Sequence, residues 1–442
     1  MMPAHAALAY WLARDAHASA RALDLRAESL RALAAARMRA LLVDAQHSPF
    51  NAMRMRDAGL TRPGALRDLE LPLALQSLAP VSKQELRTAG DASLRHGRIS
   101  ASWFSSRSSG SSGEPFRVYY DARAWSMLKY LVKMRARRAA GMRLTDRVAI
   151  LDAIDPRVEG SSLLERLRRL KRISVFRPPK EMAALLAAYA PDAIYALPSA
   201  LLEIAHAAGQ DTPEVRAKRI FTSGELLPLR ASRDIREAFG GRIFDIYGTS
   251  ETKEIAWECW AGSRHINADV VHVEILGVDG TRAEAGVEGE IVVTLLVNRA
   301  MPLIRYRTGD RGSLLTARCE CGRASPLLGV VSGRDADVLE LPDGSTLSPY
   351  LLTMALEPIP GLVQYQITQM ERDHLRVRAV AGNGIGARTL EADIASALGA
   401  ALPAGVRVST AIVDRLEHGA RTKVRVVEPL PRSTAREMMA AR

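Results

Sequence analysis

The sequence has few cysteines, no long apolar run and no sign of a secretory signal. Three cysteines in 442 residues are too few for a disulfide framework. The most apolar stretch, residues 182–208, is interrupted by Pro191, Asp192, Pro198 and Glu203, so it falls short of the ~20 apolar residues of a membrane span. The first ten residues lack the basic flank and apolar core of a signal peptide. These absences predict a protein of the reducing cytoplasm without a membrane partner.

The composition is that of a globular chain with excess positive charge. Because 48% of the residues are hydrophobic, disorder is excluded as the main state. The 61 Lys and Arg exceed the 49 Asp and Glu, which gives a net charge of +12. This charge favours anionic partners such as nucleic acid or a phosphate-rich cofactor, or it serves solubility alone.

Helical and strand patterns divide the chain into a large and a small unit. Helical segments alternate with short apolar strands over residues 118–255, which favours a parallel sheet. Residues 265–339 are β-rich with turn pairs, which indicates antiparallel hairpins. The predicted fold is therefore α/β (α+β), with an N-terminal domain at 1–333 that combines parallel sheets with a β-rich part. A small C-terminal α+β domain follows at 334–442.

A serine- and glycine-rich loop, Ser105–Gly113, is the most informative segment. It lies between apolar Trp103-Phe104 and strand-like residues 116–120. A flexible linker is the alternative, but linkers join domains, whereas this loop interrupts a β-turn-β pattern. Glycines allow close backbone approach to a ligand, and serine hydroxyls with backbone N–H groups can hold phosphate oxygens. We therefore predict a phosphate cradle, which differs from a P-loop because no Gly-Lys-Ser/Thr follows.

Polar turns follow strand candidates further along the chain. Tyr247–Glu251 puts a hydroxyl and a carboxylate at the carboxyl end of an apolar strand, where open α/β sheets bind ligands. Arg305–Asp310 ends another strand with a carboxylate suited to paired sugar hydroxyls, and Gly333–Asp337 follows it. Taken singly, each would be an ordinary charged turn.

Taken together and in this order, these segments resemble the adenylate-forming enzymes, which include acyl- and aryl-CoA ligases, adenylation domains of peptide synthetases, and luciferases. The resemblance is closer to the phenylacetate-CoA ligase branch with its capsule-biosynthesis (CapK-like) and coenzyme F390 synthetase relatives. It extends from about His47 to Val427 and includes Thr222–Glu225. It implies that ATP and a carboxylic acid form an acyl-adenylate and pyrophosphate, and that a thiol, usually that of coenzyme A, then displaces AMP.

The resemblance also assigns roles to individual residues. Thr249 would contact the α-phosphate, Glu251 would hold Mg²⁺, and Lys423 would offset charge on the α-phosphate and the substrate carboxylate. The implied nucleotide contacts are Ser108, Ser109, Gly110, Ser111, Ser112 and Gly113 on the β,γ-phosphates, Gly224 and Glu225 beside adenine, Tyr247 under the purine with Asp245 and Gly248 of the same segment, and Asp310 and Arg334 on the ribose.

Two positions depart from the family's pattern. Glu114 replaces the basic residue that is common in the phosphate loop of many relatives. Ala336, next to Asp337, stands where a hinge Asp often lies. The motifs therefore support nucleotide binding more directly than they support catalysis by domain rotation.

All three cysteines and one histidine can form a single metal set. Cys259 and His265 are close in sequence, and Cys319 and Cys321 form a Cys-x-Cys pair. Spacing alone leaves two interpretations open, since Cys-x-Cys is less usual than Cys-x₂-Cys and lone buried cysteines are ordinary core residues. The resemblance favours zinc, because many members of the branch carry a Cys/His zinc site in the matching insertion. With no open fourth position, Zn²⁺ would be structural.

Two runs of basic residues are either solvated helix faces or binding sites for coenzyme A phosphates. The solvated face is favoured, because like charges at successive helical turns are common on surfaces. Neither run has the interleaved aromatics that nucleic-acid binding uses, so nucleic acid is not an expected partner. The runs are Arg135, Arg137 and Arg138, and Arg166, Arg168, Arg169, Lys171 and Arg172.

The sequence therefore predicts an ATP-dependent ligase that activates an aryl or medium-chain aliphatic acid and transfers it to a thiol, with coenzyme A expected. Enzymatic alternatives are transfer of AMP itself to an acceptor and amide-forming acyl transfer. From a different class, a basic zinc-containing nucleic-acid-binding protein is an alternative, which the ordered ATP motifs disfavour. A homodimer is left open.

Overall fold

The computed structural model describes residues 4–61, 71–107, 116–152, 154, 167, 169–207, 213–334, 339–342, 346–347, 352, 355–356, 359–382, 385–403, 405–416 and 427–430. Its α-helices are Ala4–Arg21, Ala27–Ala45, Pro49–Asp57, Leu71–Gln76, Lys83–Ala89, Ala122–Ser126, Val132–Ala139, Pro179–Tyr189, Pro198–His206, Leu229–Phe239 and Ala387–Ala401, and a π-helical turn spans Met127–Leu131. Within the described ranges, no helix is both long enough and apolar enough to cross a bilayer.

The strands are numbered in chain order. They are β1 Phe104–Arg107, β2 Arg117–Tyr120, β3 Val148–Asp152, β4 Leu170–Ser174, β5 Ala193–Ala196, β6 Arg219–Ser223, β7 Arg242–Thr249, β8 Lys253–Glu258, β9 Arg264–Ile266, β10 Val271–Leu276, β11 Gly289–Leu295, β12 Tyr306–Leu315, β13 Leu327–Arg334, β14 Leu339–Glu340, β15 Thr346–Leu347, β16 Leu362–Glu371, β17 His374–Ala381, β18 Arg407–Ile412 and β19 Val427–Glu428.

One eleven-stranded sheet carries most of the chain, in the order β10-β11-β12-β13-β9-β8-β7-β6-β5-β3-β4. Strands β3 to β7 pair in parallel, and β7 to β13 pair antiparallel. The strands β3, β5 and β6 are short apolar runs, which is typical of strands covered on both faces. Helices lie between β4 and β5, between β5 and β6, and between β6 and β7. The predicted α/β fold class is confirmed, with the β-rich part as a continuation of the same sheet.

The sheet curves strongly between β7 and β12. Three strands separate these two in the strand order, so a flat sheet would hold them about 19 Å apart at the usual strand spacing. Yet the Tyr247 hydroxyl of β7 donates a 2.9 Å hydrogen bond to Asp310 of β12. The ladder between β9 and β13 is short, since only Leu327 and Leu328 pair across it. The sheet therefore folds over at this short ladder and brings distant strands together.

A buried carboxylate holds the N-terminal helices against the sheet. Asp269, just before β10, accepts bidentate bonds of 2.7 and 2.8 Å from Arg135 and a 2.8 Å bond from Arg37. Arg135 also donates to the hydroxyl and carbonyl of Ser19. Burial alone would raise the pKa of Asp269, but the two guanidinium groups outweigh it and hold the pKa below its ordinary value.

This network corrects the interpretation of the first basic run. Arg135 was expected on a solvated face, but its side chain is only 3% exposed and ion-paired with Asp269. Arg138 is exposed, as expected, and pairs with Asp24. Arg137 is partly buried and donates a 2.9 Å hydrogen bond to the Tyr195 hydroxyl. In the second run, Arg166 and Arg168 lie outside the described residues.

The chain beyond β13 forms a separate four-stranded sheet, in the order β18-β17-β16-β19. Helix Ala387–Ala401 packs on it, and Leu362, Ile367, Leu390 and Ile394 lie in its core. The buried residues of this cluster all come after residue 338. The domain boundary at 333/334 falls at the end of β13, and it stays a prediction.

We expect Asp269→Ala to lower the free energy of unfolding by about 3–5 kcal/mol, because two arginines lose the charge that compensates them. Urea unfolding measures the change. The control is Glu181→Ala, which removes the exposed i,i+4 ion pair with Arg177 and should cost less than about 1 kcal/mol. Equal losses in both variants would show that the buried network contributes no more than a surface pair.

Candidate nucleotide site and metal centre

Some of the predicted site residues cannot be placed. Ser108, Ser109, Gly110, Ser111, Ser112 and Gly113 of the loop, and Lys423, lie outside the described residues. Only the backbone of Arg334 is described, and its register in β13 pairs it with Asp310 of β12. The remaining predicted nucleotide residues lie on or next to β6, β7 and β12 of the large sheet, with Glu251 in the turn between β7 and β8.

The Tyr247–Glu251 segment ends β7 and turns the chain into β8. Gly248 is required there, because a Cβ atom would lie 2.2 Å from the carbonyl oxygen of Lys253. The Thr249 hydroxyl accepts a 3.1 Å bond from the Thr252 N–H, which fixes the turn. A β-bulge between Tyr247 and Gly248 interrupts the register with β8. The turn thus projects Thr249 and Glu251 beyond the carboxyl end of the parallel strands, where such sheets bind ligands.

Glu251 is a buried carboxylate with a lysine partner. Its side chain is 5% exposed, and the Lys83 ammonium lies 2.8 Å away. The Tyr120 hydroxyl donates a 2.6 Å bond to the Glu251 carbonyl oxygen, which fixes the backbone. Burial alone would raise the pKa of Glu251, but the charge and hydrogen bond of Lys83 outweigh it and lower the pKa. Glu251 is therefore ionised at neutral pH and suited to binding a cation.

Lys83 owes its position to the start of its helix. The Ser82 hydroxyl accepts a 3.2 Å bond from the Glu85 N–H, and Glu85 accepts a 2.7 Å bond from the Ser82 N–H. These two bonds form a capping box, which the sequence pattern of Ser82 followed three residues later by Glu85 indicates. In sequence Lys83 is only the first residue of this helix. Its pairing with Glu251 had no local signal.

The residues predicted around adenine and ribose fall into two groups. Tyr247 and Asp310 are hydrogen-bonded to each other across the curved sheet. Glu225 follows β6 and accepts 3.0 Å bonds from the N–H and hydroxyl of Ser199, which tie it to the start of a helix. Gly224 has φ +89, a value that favours glycine. These residues surround the carboxyl ends of β6 and β7.

Asp245 lies earlier on β7 than the other predicted nucleotide residues. Its carboxylate accepts a 2.9 Å bond from Thr222 and a 2.7 Å bond from Arg264. Both of its oxygens thus have protein partners, and they connect β6, β7 and β9. The geometry gives Asp245 an internal role in the sheet, and its predicted contact with the nucleotide stays a prediction.

The stem of the predicted phosphate loop is the antiparallel hairpin of β1 and β2. Phe104 of β1 stacks on Trp125 at 5.4 Å, and Tyr120 of β2 packs beside the same ring. The Lys253 ammonium donates to the Ser106 hydroxyl at 2.5 Å and to the Ser250 carbonyl at 2.7 Å. One lysine therefore joins the hairpin to the turn that carries Glu251.

The four sequence-predicted metal ligands lie together. The donor atoms of Cys259, His265, Cys319 and Cys321 all lie within 4.8 Å of one another. The Sγ atoms of Cys259 and Cys319 are 3.5 Å apart, and Cys321 Sγ is 3.1 Å from His265 Nε2. A zinc tetrahedron with bonds of about 2.0–2.3 Å separates its ligand atoms by roughly 3.5–3.8 Å. The donor set and spacing thus fit zinc.

The surroundings of this cluster orient the imidazole for metal binding. His265 Nδ1 is 2.9 Å from the Ser325 hydroxyl, so Nε2 faces the three sulfur atoms. Burial lowers the pKa of His265 to about 4, which keeps the ring in the neutral form that binds metals. Trp257 stacks on the ring at 5.3 Å. The cluster lies beside the short β9–β13 ladder, where His265 pairs with Leu327.

Curated proteins of known function resemble parts of this chain, although no protein-family model matches it. A phenylacetate-coenzyme A ligase of Thermus thermophilus is 34% identical over 141 residues, which are 30% of this chain and 32% of the relative. The Pseudomonas putida ligase of the same name is 29% identical over 248 residues, 52% and 54% of the two chains. The matches thus span about a third to just over half of these relatives. They confirm the predicted resemblance to this branch.

Solved structures share the fold over a longer part of the chain. A 2-hydroxyisobutyryl-CoA ligase in the postadenylation state, in complex with 2-HIB-AMP, has a TM-score of 0.74 at 20% identity and covers 95% of this chain and 93% of its own. A benzoate CoA ligase from Burkholderia xenovorans LB400 has a TM-score of 0.52 at 16% identity, over 70% and 65% of the chains. These likenesses establish the fold.

Lys253 gives this site a testable pH dependence. Burial and the neighbouring Lys129 lower the pKa of Lys253 to about 8, whereas an unfolded lysine titrates near ~10.4. Between these values the unfolded chain holds a proton that the folded protein has released, so the free energy of unfolding rises with pH. Lys253→Met lacks this contribution. Between about pH 7 and about pH 10, the free energy of unfolding measured in urea should therefore increase more for wild type than for Lys253→Met. A difference between the two proteins that stays constant with pH would contradict the lowered pKa.

Proposed function

We propose that this protein is an ATP-dependent acid–thiol ligase, which activates an aryl or medium-chain aliphatic acid as an acyl-adenylate and transfers the acyl group to coenzyme A. The observation that carries the proposal is the bond between Tyr247 and Asp310, because it unites two separate nucleotide segments at the edge of one sheet. Arg334, the second ribose residue, pairs in register with Asp310. The names of the curated relatives support the same chemistry.

In the proposed reaction, a carboxylate oxygen of the acid attacks the α-phosphorus of ATP, and pyrophosphate leaves. Negative charge then increases around the phosphorus, so the site must supply cations and hydrogen-bond donors there. Thr249 offers a hydroxyl at the end of β7, and the serine-rich loop is assigned to the β,γ-phosphates. The coenzyme A thiol then attacks the acyl carbon, and AMP leaves.

Glu251 is the residue proposed to hold Mg²⁺, which would offset phosphate charge when bound. The carboxylate fits this role, because it is buried, ionised and fixed by its backbone bond to Tyr120. Lys83 now satisfies the charge of Glu251. If Glu251 holds Mg²⁺, the Lys83 ammonium would be available to a phosphate oxygen of the nucleotide. We therefore add Lys83 to the proposed phosphate-binding residues.

Lys423 is assigned by the resemblance alone. The lysine lies in Thr422–Val427, and the resemblance brings it from the small C-terminal unit to the α-phosphate. A cation that acts only as charge develops contributes more to the transition state than to substrate binding. An exposed lysine on an edge strand is the alternative explanation for this residue.

We also propose one structural Zn²⁺, held by Cys259, His265, Cys319 and Cys321. All four ligand positions are filled by side chains, so the metal would brace the fold and leave no open position for a substrate. The ligands come from the β8–β9 turn, β9 and the loop before β13, next to the ladder where the sheet folds over. Thiol ligands require a reducing compartment, which supports the predicted cytoplasmic location.

The ligase proposal predicts acid-dependent exchange of labelled pyrophosphate into ATP without coenzyme A. A panel of aryl acids, beginning with phenylacetate, and of aliphatic acids identifies the substrate. Glu251→Gln and Lys423→Ala should each lower exchange by on the order of 100-fold or more, because both lose a charge that acts in the transition state. Glu181→Gln, at an exposed carboxylate, is the control. Transfer of AMP to a non-carboxylate acceptor, with no exchange for any acid, would contradict the proposal.

The metal proposal predicts one zinc per chain in protein purified without added zinc. Cys319→Ser should lose the metal and lower the Tm by at least about 5 °C, because a ligand that binds only the folded state stabilises it. Chelation should lower the Tm of wild type to that of the variant and leave the variant unchanged. A zinc content near zero in folded wild-type protein would contradict the proposal.

A further inference from the structure

Lys253 connects two segments that the proposed function uses for different parts of ATP. Its ammonium donates to Ser106 on β1, in the stem of the phosphate loop, and to the carbonyl of Ser250 in the turn before Glu251. The same ammonium lies 5.5 Å from the ring centroid of Tyr120 and 5.8 Å from that of Trp125. Tyr120 in turn bonds the Glu251 carbonyl. Hairpin, turn and lysine thus form one connected unit.

We propose that Lys253 is a positioning residue for ATP, which clamps the β1–β2 stem against the Thr249–Glu251 turn so that this stem and the carboxylate proposed to hold Mg²⁺ keep a fixed separation. The inference rests on the proposed function. Lys253 acts through Ser106 and Ser250, and it is not placed on the nucleotide itself.

A lysine is a costly choice for a purely structural contact at this position. Lys253 has φ +63, a backbone conformation that disfavours side chains. Burial is the main reason that the pKa of Lys253 is lowered, and repulsion from Lys129 and Lys133 adds to it. Glu251 acts in the opposite direction, but this carboxylate is also paired with Lys83 at 2.8 Å. Replacing such a charge by an apolar side chain is often neutral or stabilising.

This cost separates a positioning role from a structural role. A structural residue contributes to stability. Its loss therefore lowers the free energy of unfolding and weakens the binding of every ligand alike. A clamp kept for ATP should behave differently, because its loss relieves the buried charge while the hairpin becomes free to move. Proteins commonly retain destabilising groups of this kind where activity requires them.

Lys129 provides a matched control. It lies over the same Trp125 ring at 5.6 Å, and its pKa is likewise lowered by burial and by Lys133. Among the described residues, however, no hydrogen bond from Lys129 to the hairpin or to the turn is seen. Lys129→Met therefore removes a neighbouring lysine charge without removing a clamp.

The experiment compares wild type, Lys253→Met and Lys129→Met by three measurements. Hydrogen-exchange mass spectrometry without ligand follows the amides of β1 and β2. Pyrophosphate exchange gives the KM values for Mg·ATP and for the acid. Urea unfolding gives stability. In Lys253→Met we expect hairpin exchange and the KM for Mg·ATP each to rise at least about 10-fold, because two charge-assisted hydrogen bonds are lost. The KM for the acid should change less than about threefold, and stability should be equal or higher.

Two results would overturn the inference. In the first, the hairpin amides of Lys253→Met exchange hydrogen at the wild-type rate. In the second, Lys253→Met loses stability together with affinity for both substrates. The same changes in Lys129→Met would also contradict it, because they would assign the effect to local charge. If wild type shows no binding of Mg·ATP by calorimetry, the proposed function fails, and hairpin exchange alone then decides whether Lys253 is a clamp.

Discussion

The curvature of the large sheet is the constraint on which the candidate site depends. Tyr247 and Asp310 belong to strands that three others separate, and only a sheet that folds over can bring their side chains to 2.9 Å. The fold occurs where β9 and β13 share just two residue pairs. Such a short ladder contributes few hydrogen bonds, so the neighbouring Cys/His cluster is well placed to reinforce it. The Cys/His cluster and the candidate nucleotide site are thus related through the shape of one sheet.

Buried charges of opposite sign connect this sheet to elements outside it. Asp269 binds arginines from two helices, and Glu251 binds a lysine from a third. Removing one partner from such a pair leaves an uncompensated charge in a medium of low polarity, which costs far more than the loss of a surface pair. The N-terminal helices therefore belong to the same cooperative unit as the sheet. Lys253 differs, because Glu251 is already paired with Lys83.

Local sequence patterns predicted the elements and much of the metal cluster, but not the long-range charge pairs. The apolar runs that became β3, β5, β6 and β7 and the capping box at Ser82 depend on neighbouring residues, and the structure has both. Lys171 and Arg172 lie on β4, although their basic run was assigned to a helix face. Arg135 was assigned to a solvated face, because its spacing matches one. Its burial is decided by Asp269, which lies 134 residues away and carries no local signal. Lys83 and Lys253 escaped notice for the same reason, since their partners come from other strands or helices.

The Lys83–Glu251 pair bears on the form in which the nucleotide would enter the proposed site. A free magnesium ion would have to displace an ammonium group held at 2.8 Å and would leave that ammonium without a counter-charge. If Glu251 holds Mg²⁺ as proposed, phosphate oxygens of a bound nucleotide would supply Lys83 with the counter-charge that it loses. Under the proposed function, Glu251 and Lys83 would therefore favour the metal–nucleotide complex over the free metal ion.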